Sequence, residues 1–407
     1  MIPRKHIDIG WTDLAYGLAA GLFVRDQKHT QRAVEDYWSP QGDALAALSV
    51  RSAFDLVLQQ LALPHGSEVL VSAVTIRDMV AVIEHHGLIA VAVDLDPASC
   101  AVIPAALAAA ITPRTRALLV AHLFGSRMPM DALVQLAQHH GLFLFEDCAQ
   151  AFAADAYRGH AGSDVTLFSF GTIKTATAGG GALCRFRDRQ LRDRVAERQQ
   201  HYPPQPVTRY MRKLCKLALL KVLGGRLLYT LFVGLCRLAG RDHDAVISGA
   251  TRGFARGALI QQLRQQPPAA MLALLARRLR ATTAEDLAVR ISAAVSLRNQ
   301  LPAQDHPGAA AAAHCHWVLP IRSEQPDALV RHLAAQGYDA TRGASSLYAV
   351  PPAAGHAAPV QAQRMMAAIV YLPFDTCKSA QEISRLAGAI KQFDARSAAS
   401  DSGQGSA

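Results

Sequence analysis

Between Phe168 and Gly181 the chain reads FSFGTIKTATAGGG, and Lys174 is the one ionisable residue in that stretch. The nearest lysines are Lys28 before it and Lys213 after it, in a chain otherwise rich in arginine. Small and apolar neighbours strip water from an amine and favour its neutral form. A neutral amine attacks an aldehyde to form a Schiff base. The three glycines that follow allow backbone to approach a ligand closely. The plainer alternative is a lysine on the surface. A second group is Asp147, at the end of the apolar run LFLFEDCAQ. Open α/β sheets place ligands at the carboxyl ends of their strands. An aspartate there either caps a helix or pairs with a protonated ring nitrogen.

Taken together these groups match the needs of pyridoxal 5'-phosphate. That cofactor takes a lysine on its aldehyde, an acid on its pyridine nitrogen and a cradle for its phosphate. Hydroxyls and backbone N–H groups at a helix start suit a phosphate. Arg51 and Ser52 open a helix in this reading, and Ser169 precedes the lysine.

The apolar patterning says what must hold these residues. ALAALSVRSAFDLVLQQLAL, from 44 to 63, reads as a short strand or turn and then a helix. GSEVLVSA, LIAVAVDLD, RALLVAHLF, LFLFEDCAQ and DVTLFSF are apolar runs of strand length. They alternate with the helical stretches TIRDMVAVIEHHG, PAALAAAITPRT and PMDALVQLAQHHG, and GGALCRFRD is expected as an edge or returning strand. This alternation predicts an α/β fold whose mainly parallel sheet is covered by helices. Further on, HCHWVLPI and the stretch around IVYLPF read as strands, PDALVRHLAAQG and SAQEISRLAGAIKQF as helices.

The expected organisation is an N-terminal arm over 1–40 anchored by Trp11 and Trp38, and a large domain over 41–265. A smaller C-terminal α/β domain over 266–394 and a disordered polar tail over 395–407 complete it. Within the large domain, 205–250 is unusual in being both basic and apolar. Its core, 214–236, is interrupted by Lys216, Lys221, Arg226 and the pair Gly224-Gly225. It falls short of the ~20 apolar residues of a membrane span. It reads as helices that are buried, face a partner or lie on a lipid surface.

Of the 407 residues, 51% are hydrophobic and 18% charged, enough to build a sizeable core. The net charge of +10 suits anionic small substrates or an anionic membrane surface, and no nucleic-acid-binding motif accompanies it. The seven cysteines are widely spaced and form neither a zinc pattern nor a CxxC pair, so no metal site is expected. MIPRKHIDIGW lacks the apolar core of a signal peptide, and a cytoplasmic location is the expectation.

Several stretches carry a more specific resemblance. ALSVRSAF, EVLVSAVT, VAVDLDP, ITPRTRALLVAHLFG, EDCAQAF, GSDVTLFSFGTIKTATAGGGAL and the late YLP resemble, in this order, the DegT/DnrJ/StrS sugar aminotransferases. These are fold-type I pyridoxal-phosphate enzymes. The resemblance is good from about 45 to 190 and weaker beyond. It implies a large, mostly parallel seven-stranded sheet domain with helices on both faces, a smaller C-terminal α/β domain, and a homodimer with sites at the interface.

By that resemblance Lys174 binds the cofactor aldehyde and shuttles a proton, and Asp147 keeps the pyridine nitrogen protonated. Ala149 packs on the ring and Gln150 lies near its phenolic oxygen. Ser169 and Ser52 hold the phosphate, and His122 is structural or catalytic. The chain departs from the family at three places. Arg51-Ser52 stands where Gly-Thr is usual, Ile76 where an aromatic ring is common, and Gly253-Phe254-Ala255 where a Gly-Tyr-Asn segment reaches the neighbouring subunit's phosphate.

The implied activity is amino transfer from an amino acid donor such as glutamate to a keto or aldehyde acceptor. The acceptor is a nucleotide-linked keto sugar by resemblance, or an acyl or polyketide-like, carrier-bound or lipid-like carbonyl by the apolar insert. Other pyridoxal-phosphate chemistry (decarboxylation, elimination or carbon–carbon bond formation) uses the same cofactor residues. A non-catalytic homologue is the alternative from another class.

Overall fold

Apolar runs bounded by Gly, Pro and Asp become seven strands: β1 (Ala44–Ala47), β2 (Glu68–Ser72), β3 (Ile89–Val93), β4 (Thr115–Ala121), β5 (Phe143–Asp147), β6 (Val165–Ser169) and β7 (Ala182–Phe186). This is a computed structural model, and it describes residues 1–404 apart from Lys5, 252–257, 303–305, 344–345 and Lys378. The seven strands form one sheet in the order β1-β7-β6-β5-β4-β2-β3. β7 is antiparallel to both of its neighbours, and the other six strands share one direction.

Both faces of the sheet are buried, which is why the strands read as continuous apolar runs. Alternate side chains part to opposite sides. Leu45, Val69, Val71, Leu119 and Phe145 enter one core cluster. Ala46 enters a second, and Leu70, Leu118 and Leu144 a third. The helix Val50–Leu61 is pinned to β5 by Phe54, whose ring meets that of Phe145 edge-on at 4.9 Å. Such a pair adds about 0.5–1.5 kcal/mol beyond its buried area. It fixes the start of that helix relative to the strand that ends in Asp147.

Several expectations need correction. Trp38 is a buried anchor, edge-on to Phe168 at 5.0 Å, but Trp11 is 54% exposed. The 1–40 region contains two helices, Trp11–Phe23 and Gln27–Trp38. GGALCRFRD is a returning strand inside the sheet, and β1 is the edge. The helix Ala269–Ala281 lies beyond residue 266 yet packs in the cluster of Phe168 and Phe170 on the large sheet. HCHWVLPI is not one strand. Ala313–His314 and Pro320–Arg322 pair with different partners, and His316 between them takes a left-handed φ of +45°. The last helix runs Ala380–Gln404, through most of the stretch expected as a tail.

A separate apolar cluster gathers Leu319, Ile321, Leu329, Leu333, Val370, Phe374 and Leu386. The basic-apolar stretch forms the helices Val207–Leu223 and Arg226–Leu238, bent by 97° at the glycine pair. Among the described residues no single helix is long and apolar enough to cross a membrane. Gly253-Phe254-Ala255 lies outside the described residues.

Candidate active site

The six strands of common direction end at one edge of the sheet, and the chemistry gathers there. β5 ends in Asp147 and β6 in Ser169, while β1 runs out into the helix Val50–Leu61. β7 begins at this same edge, so the glycines 179–181 cross it. The Gly181 N–H donates to the Leu48 carbonyl at 3.0 Å, which ties the glycine run to the approach of that helix.

Lys174 sits in a tight turn between β6 and β7. Its own N–H donates to the Gly171 carbonyl at 3.0 Å, and the Thr177 hydroxyl donates to the same carbonyl at 2.6 Å. The Lys174 Nζ lies 3.7 Å from the centre of the Trp317 ring. The Trp317 indole N–H donates to the Ile173 carbonyl at 2.9 Å, so the ring is fixed against the turn. A cation over an indole face is stabilised by about 0.5–2 kcal/mol.

Trp317 is held in turn by HLFG. The Cys315 N–H donates to Gly125 O at 2.8 Å, and a Cβ on Gly125 would lie 2.6 Å from the main-chain nitrogen of Trp317. Gly125 also has φ +102°, so two separate reasons require glycine there. Sequence reading missed Trp317. The only signal was a tryptophan in a run read as a strand, and nothing in the spacing ties it to Lys174.

Burial pulls the Lys174 ammonium down to about 7, with Asp147 opposing the shift and Arg51 adding to it. Burial also raises the Asp147 carboxyl. The Ala149 N–H, which donates to Oδ1 at 2.9 Å, and the charge on Lys174 only partly offset that rise. Lys174, Asp147 and Arg51 therefore share one electrostatic environment.

The remaining expected residues are placed as follows. Ser52 is buried, its N–H donating to Ser49 Oγ at 3.1 Å. Ser49 is thus the helix N-cap, a role the sequence reading left unassigned. Arg51 donates to Asp78. Asp78 lies in the first turn of the helix Arg77–His85, which begins directly after Ile76. Ile76 and Ala149 are half-buried against the same core cluster. Gln150, also buried, accepts the Phe124 N–H on its side-chain carbonyl at 2.9 Å.

His122 belongs to a buried network behind this edge. Its Nδ1 accepts the Met128 N–H at 3.1 Å, so Nε2 carries the proton and donates to Glu146 at 2.9 Å. Burial alone would raise Glu146, but His122, Ser163 and Tyr157 hold it at about 2. Both ring nitrogens of that histidine are engaged within the protein, as suits a structural role.

A pH dependence follows. An amine with a pKa of about 7 is half neutral at pH 7, whereas an ordinary lysine near 10.4 is neutral in only about 1 molecule in 2,500. Because the shift is downward, the reactive form gains with rising pH and is fully present above the lowered pKa. Capture of an aldehyde by the cofactor-free protein is therefore expected to rise through pH 7 and level off. Stopped-flow absorbance checks this, and a rise still continuing at pH 9 would contradict it.

The helix-covered, mainly parallel sheet thus carries a lysine and an aspartate at its strand-end edge, within one electrostatic environment. Residues 26–215, a little under half of the chain, match the model of the DegT/DnrJ/EryC1/StrS aminotransferase family. The spore coat polysaccharide biosynthesis protein SpsC of Bacillus subtilis is 35% identical over 37% of this chain and 40% of its own length. The L-glutamine:2-deoxy-scyllo-inosose aminotransferase of Streptoalloteichus tenebrarius is 34% identical over 42% of this chain and 40% of its own. The matched stretches thus span about two fifths of these relatives. The solved structure of the aminotransferase TlmJ from Streptoalloteichus hindustanus shares the fold across 97% of this chain and 99% of its own, with a TM-score of 0.72 at 18% identity.

Proposed function

We propose that the protein is a pyridoxal-phosphate-dependent aminotransferase. It would move an amino group from an amino acid such as glutamate or glutamine to a keto or aldehyde acceptor, with a keto sugar as the favoured class. The observation that carries this reading is the Lys174 amine, shifted to about 7, at the strand-end edge it shares with Asp147. Relatives named for 2-deoxy-scyllo-inosose and for UDP-N-acetyl-3-dehydro-alpha-D-glucosamine support the acceptor class.

The residues present fit the cofactor. Asp147 supplies a buried acid, Lys174 an amine and Ser52 and Ser169 hydroxyls, and Gly171 and 179–181 carry no side chains across the edge. When bound, the cofactor supplies an aldehyde carbon for the amino group and a ring that draws off an electron pair. Asp147 holds a proton on the ring nitrogen. Lys174 Nζ would carry a proton between the substrate carbon and the cofactor's aldehyde carbon. The Ser52 and Ser169 hydroxyls and the start of the helix Val50–Leu61 hold the phosphate, with Ala149 and Ile76 against the ring.

The decisive experiment is an absorbance spectrum with pyridoxal phosphate, before and after adding glutamate or glutamine. Conversion of the visible band to that of the amine form of the cofactor supports transamination. A band that ignores every donor would favour another cofactor chemistry, and no band a non-catalytic homologue. A homodimer is part of the same reading, and a monomeric mass in light scattering would remove it.

A second reading concerns the surface. The helix Arg226–Leu238 exposes Leu227, Leu228, Leu231, Leu235 and Leu238, and the helix before it exposes Leu219 and Val222. Lys216, Arg237 and Arg241 around them are exposed too. We propose that this face rests on an anionic lipid surface, because pairing two copies face to face would oppose like charges. Flotation with anionic vesicles is expected, weakening with salt and lost in Leu231→Asp/Leu235→Asp. Failure of the wild type to float would sink the idea.

A further inference from the structure

The lysine that follows Lys174 in the sequence returns to the same place in the fold. In the helix Val207–Leu223, Tyr210, Lys213, Leu214 and Leu217 fall on one face, three and four residues apart. That face packs on the glycine run. The Tyr210 hydroxyl donates to the Ala178 carbonyl at 2.9 Å, and a Cβ on Gly179 would meet Leu217 at 3.0 Å. Lys213 Nζ lies 3.5 Å from where a Cβ on Gly180 would stand. Gly181, the next residue, is bonded to Leu48 at the approach to the helix that bears Arg51 and Ser52.

Three of the four residues on this face are apolar or aromatic and buried, and a leucine or methionine would suit the fourth position. Lys213 instead brings a half-buried ammonium that forms no hydrogen bond or ion pair with a described residue. Burial draws it down to about 8, and the nearby charges, Arg51, Arg209 and Lys216, all repel it. A desolvated cation among cations is costly until an anion joins it. Arg51 already leans on Asp78, and the start of the helix Val50–Leu61 adds N–H donors and a favourable dipole.

We propose that Lys213, with Arg51 and the start of the helix Val50–Leu61, forms a phosphate-binding corner within one chain, and that the cofactor phosphate fills it. This rests on the pyridoxal-phosphate reading above. It gives the basic-apolar stretch a role at the site through Lys213, distinct from that of its exposed leucines.

The test compares pyridoxal phosphate with pyridoxal, which lacks the phosphate, by spectroscopic titration of wild type, Lys213→Met and Lys213→Arg. A charged hydrogen bond to phosphate predicts about 10–100-fold weaker binding of pyridoxal phosphate by Lys213→Met. Pyridoxal binding should change little, and Lys213→Arg should recover part of the loss. Matching melting curves establish that the variants are folded. Unchanged affinity for pyridoxal phosphate in a folded Lys213→Met, or an equal loss for both compounds, overturns the proposal while leaving the cofactor reading intact. A wild type that binds neither compound overturns both.

Discussion

Lys174→Ala is expected to give a folded protein that takes up pyridoxal phosphate without the lysine-linked visible band and has lost amino transfer. The turn around residue 174 should survive, because backbone and Thr177 bonds hold it and the lysine side chain contributes none of them. What disappears is the covalent anchor and the proton carrier. Positioned proton transfer alone contributes about 10²–10⁴-fold. Loss of the anchor adds to that, so turnover should fall by at least ~10⁴-fold. Absorbance and single-turnover kinetics measure both effects. A variant that kept the same band would mean that another lysine carries the cofactor.

Asp147→Asn should be nearly as damaging by a different route. Asparagine keeps the shape and can still accept the Ala149 N–H, but the negative charge is gone. Without it, nothing holds a proton on the cofactor ring, and the ring draws electrons poorly. A preorganised charge of this kind is worth about 10²–10³-fold in rate. The same substitution removes the group that opposes the downward shift of Lys174. The pH at which the cofactor-free protein begins to capture aldehydes should therefore move lower. Near-normal turnover in Asp147→Asn would rule out the assigned role.

These two residues were legible in the sequence for physical reasons. A strand buried on both faces has to be a short apolar run, so the acidic pair that follows LFLF in LFLFEDCAQ marks a strand terminus. A lone lysine between such a run and three glycines marked a desolvated amine beside open backbone. Trp317 was not legible. It reaches Lys174 through Gly125 and Phe124, contacts between segments far apart in the chain. The N-cap role of Ser49 is legible as a serine directly before a helix, two residues ahead of Arg51-Ser52. The helix Ala269–Ala281 was placed with the wrong body because an apolar helix says that it is buried, not against what. Lys213 looked like a basic interruption of an apolar run until the fold set it beside Gly180.

The pairing order of the sheet also bears on how the chain comes to be folded. β1 is its first strand in sequence, and its only partner in the sheet is β7, the last. Everything from 48 to 181 must be made before Ala47 can meet Ala182. β2 and β3, separated by one helix, can pair long before that. Closing so large a loop is entropically costly, and non-local strand pairing is slow. During synthesis the β1 edge therefore stays open until the rest of the sheet exists. The helix start and the glycine run flank that late seam, so a cofactor-competent site forms only once the sheet has closed and reports sensitively on that closure.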